Sequence, residues 1–184
     1  MSGPRILDPT DPESIRVVVD ELRRGGVVAI PTETVYGLAG MTTNPAAIKR
    51  IYALKQRPSG NPLIAHVSEV ADVHPLIAPG SWNEKAEHLA NHFWPGPLTL
   101  IFPRAESVPS VATGGRDSIA VRCPSHPVAQ RVCAEVGAAL SAPSANRSGA
   151  VSPTSAAHVA DEFSDSDLMI LDGGSAEIGL ESTV

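Results

Sequence analysis

Apolar positions alternate between two periods along this chain, and the switches between them mark its elements. Ile15, Val18, Val19 and Leu22 recur at i, i+3, i+4 and i+7, the stripe of one helical face. Thr10 and Glu13 stand at capping-box spacing ahead of that stripe, and Gly25-Gly26 ends it. Val27 to Ile30 is a short, unbroken apolar run, the mark of a strand buried on both faces. It empties into the polar loop Pro31-Thr32-Glu33-Thr34-Val35-Tyr36-Gly37. Asn44-Pro45 supplies a cap and a first-turn proline for a second helix. Ile48 and Ile51, with Leu54 or Tyr52, form its buried stripe, and it ends near Lys55.

The same alternation continues to the end. Leu63–Val67, Leu98–Phe102, Ile119–Arg122, Ala138–Ala142 and Leu168–Leu171 read as strands. Helices are predicted from a Ser81 cap to just before Trp94, over His126–Val136, and from Ser152-Pro153 onward. Interleaved helices and strands imply an α/β domain with a twisted, largely buried sheet. The 184 residues suffice for one such domain with a real core.

Composition refines this picture only in part. Aromatics are 4% of the chain, so Val, Ile, Leu and Ala must fill the core. The 15 glycines and 17 prolines gather around the polar motifs, as shaped loops on a scaffold do. A net charge of −6 argues against a general nucleic-acid coat but allows a local basic pocket. The two cysteines, Cys123 and Cys133, fit neither a disulfide framework nor a zinc site and read as reduced thiols. No apolar run has membrane-span length and no signal-peptide pattern opens the chain, so a cytoplasmic location is expected.

Three polar clusters are candidates for chemistry; P-loop, dinucleotide-binding and metalloprotease signatures are absent from the sequence. Lys55-x-Arg57, followed by Asn61, places a point charge and a bidentate fork where they can straddle a polyphosphate. On spacing alone it reads rather as a solvated pair at a helix C-terminus. Ser141-Ala142-Pro143-Ser144-Ala145-Asn146 puts small hydroxyl and amide groups at a strand end, with Ser152 expected at a helix N-terminus that suits phosphate. The plainer reading is a turn and a cap. Thr32-Glu33-Thr34-x-Tyr36 lies beyond a strand, where α/β sheets bind ligands, and a hydroxyl, a carboxylate and a phenol there can hold an amino acid. Arg122 suits a substrate carboxylate. His66, in an apolar strand, reads first as a core histidine. His88 and His92, at i, i+4, have no companion ligands and read as surface or packing residues.

Seven stretches occur together and in order: PTETVYGL, KQRPSGNPLIAHV, FWPGPLTL, SIAVRCPSHP, SAPSANRSG, SPTSAAHV and GLESTV. In them the chain resembles the YrdC-like family, the threonylcarbamoyl-AMP synthases, from about Gly25 onward. The resemblance implies one YrdC-like catalytic domain over 1–184, either of the single-domain type or truncated at its C-terminal end. Some family members carry a linker and a second domain. Its fold would be a twisted mixed parallel and antiparallel sheet with helices packed around it and a positively lined central cavity.

The implied reaction joins L-threonine, bicarbonate and ATP into threonylcarbamoyl-adenylate, with release of pyrophosphate and water. Mg²⁺ would accompany ATP, with no direct protein ligand predicted. Threonylcarbamoyl-transferase proteins would then modify the adenosine next to the anticodon of tRNA, and weak RNA binding is possible. Carried over residue by residue, Lys55, Arg57, Asn61, Ser118, Ser144, Asn146 and Ser152 would bind ATP, with Lys55 and Arg57 as the catalytic cations. Thr34, His66, Arg122, Ala142 (by backbone) and Ser182 would surround threonine. Gln56 departs from the family, which commonly has glycine there. Two rivals stand beside this reading: a carbamoyl-adenylate-forming carbamoyltransferase domain, and a non-catalytic RNA-binding module.

Overall fold

The computed structural model describes residues 3–184. Among the described residues, five helices and eight strands follow one another as β1 (Arg5–Leu7), α1 (Pro12–Arg23), β2 (Val28–Ile30), β3 (Gly37–Met41), α2 (Pro45–Lys55), β4 (Ile64–His66), α3 (Glu84–Phe93), β5 (Thr99–Pro103), β6 (Ser118–Arg122), α4 (Pro127–Val136), β7 (Leu140–Ser141), α5 (Ala156–Glu162) and β8 (Met169–Leu171). Short 3-10 turns cover Val70–Leu76 and Ser110–Thr113. The strands form one sheet in the order β1-β8-β2-β3-β7-β4-β6-β5. Its pairings are mixed. β8 runs parallel to both β1 and β2, and β4 parallel to β6, while the other neighbours are antiparallel.

Alternation along β2 explains why its sequence is apolar without a break. Val28 and Ile30 pack with Ile15, Val18 and Leu22 of α1 and Val132 of α4. Val27 and Ala29 face the opposite layer, with Ile48 and Ile51 of α2 and Val159 of α5. Both faces are thus covered, which a period-2 strand with a polar face could not tolerate. Tyr52, at 6% exposure, completes the α2 stripe, and Leu54 is only half-buried.

Several expected boundaries move, each for a local reason. Asp11, not Thr10, caps α1: its carboxylate accepts the Glu13 N–H at 3.0 Å, while the Thr10 hydroxyl is spent on Asp8 at 2.7 Å. Asn83, not Ser81, caps α3 by accepting the Ala86 N–H at 3.0 Å. No helix starts at Ser152-Pro153. The Pro153 carbonyl accepts the Tyr36 N–H at 2.9 Å, which keeps this stretch extended until Ser155 caps α5. Strands β1 and β3 have no place in the periodicity reading: β1 has three residues, and β3 opens on the glycine that ends the polar loop.

Beyond β8 the chain crosses the sheet without regular structure. Ile178 N–H and Gly179 N–H donate to the carbonyls of Glu33 and Thr34 at 2.9 and 3.0 Å. Thr183 then pairs with Leu98 beside the start of β5. This segment lies over the polar loop after β2 and closes one side of the site.

Candidate active site

The polar loop after β2, the ends of β4 and β6, the exit of β7 and the crossing C-terminal segment enclose one recess. Its volume is about 80 Å³, smaller than a typical small-molecule pocket of roughly 300–1,000 Å³. It is therefore a tight polar recess. Of the expected site residues, Thr34, Arg57, His66, Arg122, Ala142, Ser144 and Ser182 line it. Lys55, Asn61, Ser118, Asn146 and Ser152 do not.

At one end sits Arg122, the last residue of β6, 3% exposed. Its Nε donates to the Gly96 carbonyl at 3.2 Å, Nη1 to Thr34 Oγ1 at 2.9 Å and Nη2 to Glu33 Oε1 at 2.6 Å. A guanidinium has five N–H donors, so these three bonds leave one N–H on each terminal nitrogen. Glu33 and Tyr36 are not in the recess. Glu33 lies behind Arg122, and the Tyr36 hydroxyl donates to the Gly174 carbonyl at 2.6 Å.

The direction of the hydroxyl bonds can be assigned. Thr32 Oγ1 must donate to the Val35 carbonyl, 2.7 Å away, because a carbonyl has no proton. Thr34 therefore gives its proton to Thr32 Oγ1 at 2.9 Å and accepts from Arg122. What remains of the Thr34 hydroxyl toward the recess is an acceptor, suited to an ammonium or hydroxyl proton.

His66, on β4, is 2% exposed, with Nδ1 3.2 Å from the Ile64 carbonyl. Burial, then the Arg122 charge, pull its pKa down to about 3. The ring is neutral at ordinary pH and a weak base. Ala142 meets the recess, but its N–H is already given to the Ile64 carbonyl at 3.0 Å. Ser182 Oγ accepts from Thr99 Oγ1 at 3.1 Å.

At the other end Arg57 is half-buried. Nη2 donates to the Pro62 carbonyl at 3.3 Å, and its buried Nε has no protein partner. Lys55 differs from expectation. It is 1% exposed, and its ammonium donates to the Ser144 carbonyl, to the Asn146 carbonyl at 2.6 Å and to Asn146 Oδ1 at 3.3 Å. An ammonium has three donors, and the turn takes all of them. Burial, with Arg57 alongside, draws its pKa down to about 8. Lys55 thus braces the turn that carries Ser144, while Arg57 faces the recess.

Asn146 is equally committed: its amide donates to the carbonyls of Arg147 and Ala150 at 3.1 and 2.7 Å. With Ser152, His158 and Glu162 it lines a second, more open groove of about 460 Å³ on the same turn. Ser152 Oγ donates to Glu181 Oε1 at 2.7 Å, and Glu181 lines the recess. Glu181 was not legible as a site residue, because no spacing ties it to the other clusters. Asn61 is exposed and uses its carbonyl to accept from Tyr52 at 2.7 Å, and Ser118 stands at the far end of β6 from Arg122. His88 and His92 lie side by side on α3, with ring centroids 4.6 Å apart and planes tilted by 39°. Among the described residues there is no group of three His, Cys, Asp or Glu able to hold a metal ion. Nor is any helix there long and apolar enough to cross a membrane.

Comparison with known proteins adds lineage to this geometry. The family model Sua5_yciO_yrdC, described as "Telomere recombination", matches residues 20–184. A threonylcarbamoyl-AMP synthase of Pyrococcus abyssi is 48% identical over 170 residues, 92% of this chain and 49% of that protein. One from Bacillus subtilis is 45% identical over 179 residues, 97% of this chain and 51% of that protein. The crystal structure of P. abyssi Sua5 complexed with L-threonine superposes with a TM-score of 0.92 at 45% identity, covering 98% of this chain and 53% of that one. The chain spans about half the length of these relatives. With its mixed sheet, its recess and a match across nearly all of its length, the chain belongs to the Sua5/YciO/YrdC family.

Proposed function

We propose that this domain makes L-threonylcarbamoyl-adenylate from L-threonine, bicarbonate and ATP, the first step in forming threonylcarbamoyladenosine next to the anticodon of tRNA. The observation that carries this reading is one enclosure with two ends. Arg122 and Thr34 offer two N–H donors and one acceptor, the complement of an amino acid's carboxylate and ammonium. Arg57 and Ser144, at the other end, suit phosphate, and the unpartnered Arg57 Nε is a donor for it.

In this reading threonine occupies the recess. ATP lies over the Ser144–Asn146 turn in the outer groove, with Ser152 beside it and its phosphates toward Arg57. Asn61 and Ser118 flank the nucleotide. Threonine's amine and bicarbonate form a carbamate with loss of water. A carbamate oxygen attacks the α-phosphorus, and pyrophosphate leaves with the bonding pair. Arg57 offsets the charge that builds on the phosphate oxygens. Mg²⁺ would accompany the triphosphate and offset part of its charge, with no direct protein ligand expected. His66 shapes the wall beside the substrate and moves no proton. The product would pass to threonylcarbamoyl-transferase proteins in the cytoplasm, with at most weak contact to tRNA.

The test is pyrophosphate release with threonine and bicarbonate left out in turn. Release that requires both supports the reading. Release driven by carbamoyl phosphate without threonine would establish the carbamoyl-transfer rival in its place. Salt-sensitive tRNA binding without turnover would establish the RNA-binding one.

A further inference from the structure

Glu33 stands between two recess-lining threonines, yet it takes no part in the lining. Its side chain turns back into the protein, and the residue is 4% exposed. One carboxylate oxygen accepts Arg122 Nη2 at 2.6 Å, and the other accepts the Ser125 N–H at 3.1 Å. Ser125 lies in the loop between β6 and α4, so Glu33 ties two loops together behind the guanidinium. Because Ser125 holds the second oxygen, the carboxylate cannot swing to follow its partner.

We infer that Glu33 is a positioning residue for the amino-acid substrate. It acts through Arg122 and fixes the plane in which that side chain's two remaining N–H groups meet a carboxylate. This inference rests on the reading of the recess as the threonine site. Two physical arguments support it. A buried, unpaired arginine is costly, so Arg122 needs a resident counter-charge while the recess holds no ligand. An anion at one edge of the guanidinium also repels a second carboxylate from that edge. The substrate carboxylate must then enter from the recess side, where Thr34 waits for its ammonium. A neutral residue at position 33 would leave Arg122 held by Gly96 and Thr34 alone, its outer nitrogen less firmly placed and no charge behind it to direct the incoming carboxylate.

The test uses the whole chain and compares L-threonine with L-threoninamide, which lacks the carboxylate charge. Binding is measured by calorimetry or competition for wild type, Glu33→Gln and Glu33→Asp, with ATP binding measured alongside. In wild type, threonine is expected to bind at least about tenfold more tightly than threoninamide, as a charge-assisted contact requires. In Glu33→Gln that preference shrinks toward unity while ATP affinity stays within about twofold. Glu33→Asp keeps the charge buried but withdraws it by one methylene, and falls between the two. It also serves if the Gln variant fails to fold. A full preference retained in either folded variant overturns the positioning role and leaves the threonine site standing. A wild type that binds both ligands equally, or neither, overturns the threonine site itself and the inference with it.

Discussion

Lys55 holds Asn146 at two points, with Nζ 2.6 Å from its carbonyl oxygen and 3.3 Å from its side-chain oxygen. The ammonium also bonds the Ser144 carbonyl, so the second half of the turn is wrapped around one buried cation. Lys55→Met removes that cation and leaves buried oxygens without donors. Each such loss costs about 1–3 kcal/mol, so the variant should lose several kcal/mol in urea unfolding, together with adenylate formation. If activity disappeared at unchanged stability, Lys55 would be a phosphate ligand and not a brace.

Arg57 should behave in the opposite way. It is half-buried, with a buried Nε that nothing in the protein satisfies. Arg57→Ala removes an unpaired donor from the folded protein and should leave the melting temperature unchanged or slightly raised. A contact to a charged group is worth about 1.5–3 kcal/mol, so ATP affinity should fall roughly 10- to 100-fold while threonine affinity holds. Equal loss for both ligands would remove Arg57 from the nucleotide end.

The His66 ring predicts an acid dependence of stability. Its folded pKa, about 3, lies below the ordinary imidazole value of 6.5. Between those values the unfolded chain binds a proton that the folded protein excludes. Stability from this group is therefore complete above about pH 6.5 and drains away as pH falls toward 3, by roughly 1.4 kcal/mol per pH unit. Unfolding free energies of wild type and His66→Gln, measured from pH 7 to pH 4, should diverge in slope by about that amount over the lower part of the range. Parallel curves would mean that the imidazole takes up its proton without unfolding.

Gln56 carries backbone strain. It ends α2 in the left-handed region, at φ 49° and ψ 38°, where a side chain costs about 1–2 kcal/mol. The resemblance had marked this position as one where relatives commonly carry glycine, and the conformation supplies the reason. Gln56→Gly should relieve the strain but gives back about 0.5–1 kcal/mol in unfolded-state entropy. A net gain of roughly 0.5–1 kcal/mol is expected, seen as a higher urea midpoint at an unchanged slope. Destabilisation would show that the Gln56 side chain makes a contact of its own.

What the sequence disclosed follows from the range of the forces involved. Helix α2 was legible because its cap, first-turn proline and apolar stripe are all local. β2 was legible because both its faces are covered. β1 escaped because three residues with an exposed pattern become a strand only through a partner 164 positions away, as Arg5 does with Met169. The site divides in the same way. Motif matching named Thr34, Arg57, Arg122 and Ser144, and the fold brings these four to one recess, since each sits at or just beyond a strand or helix end that the pattern locates. It could not say which way a side chain turns. Lys55 and Glu33 turn inward because buried oxygens and a buried guanidinium await them, and both partners are about 90 residues distant in sequence.

Tyr36 governs the last wall of the site. Its ring is fully buried, and its hydroxyl donates to the Gly174 carbonyl at 2.6 Å and accepts the Gly173 N–H at 3.2 Å. Burial raises its pKa to about 12, so it stays protonated and able to donate at any working pH. These bonds fix the start of the segment that later lays Glu181 and Ser182 along the recess. Tyr36→Phe keeps the ring in the core and removes only the hydroxyl, at a cost of about 1–2 kcal/mol. The loss should appear locally. Amide exchange should quicken at Ile178 and Gly179, whose N–H groups tie the segment to Glu33 and Thr34, while the amides of α1 keep their protection. Threonine affinity should fall with it, because Ser182 is held less firmly. Uniformly faster exchange across the sheet would instead assign Tyr36 to the core and leave the segment anchored by its own backbone.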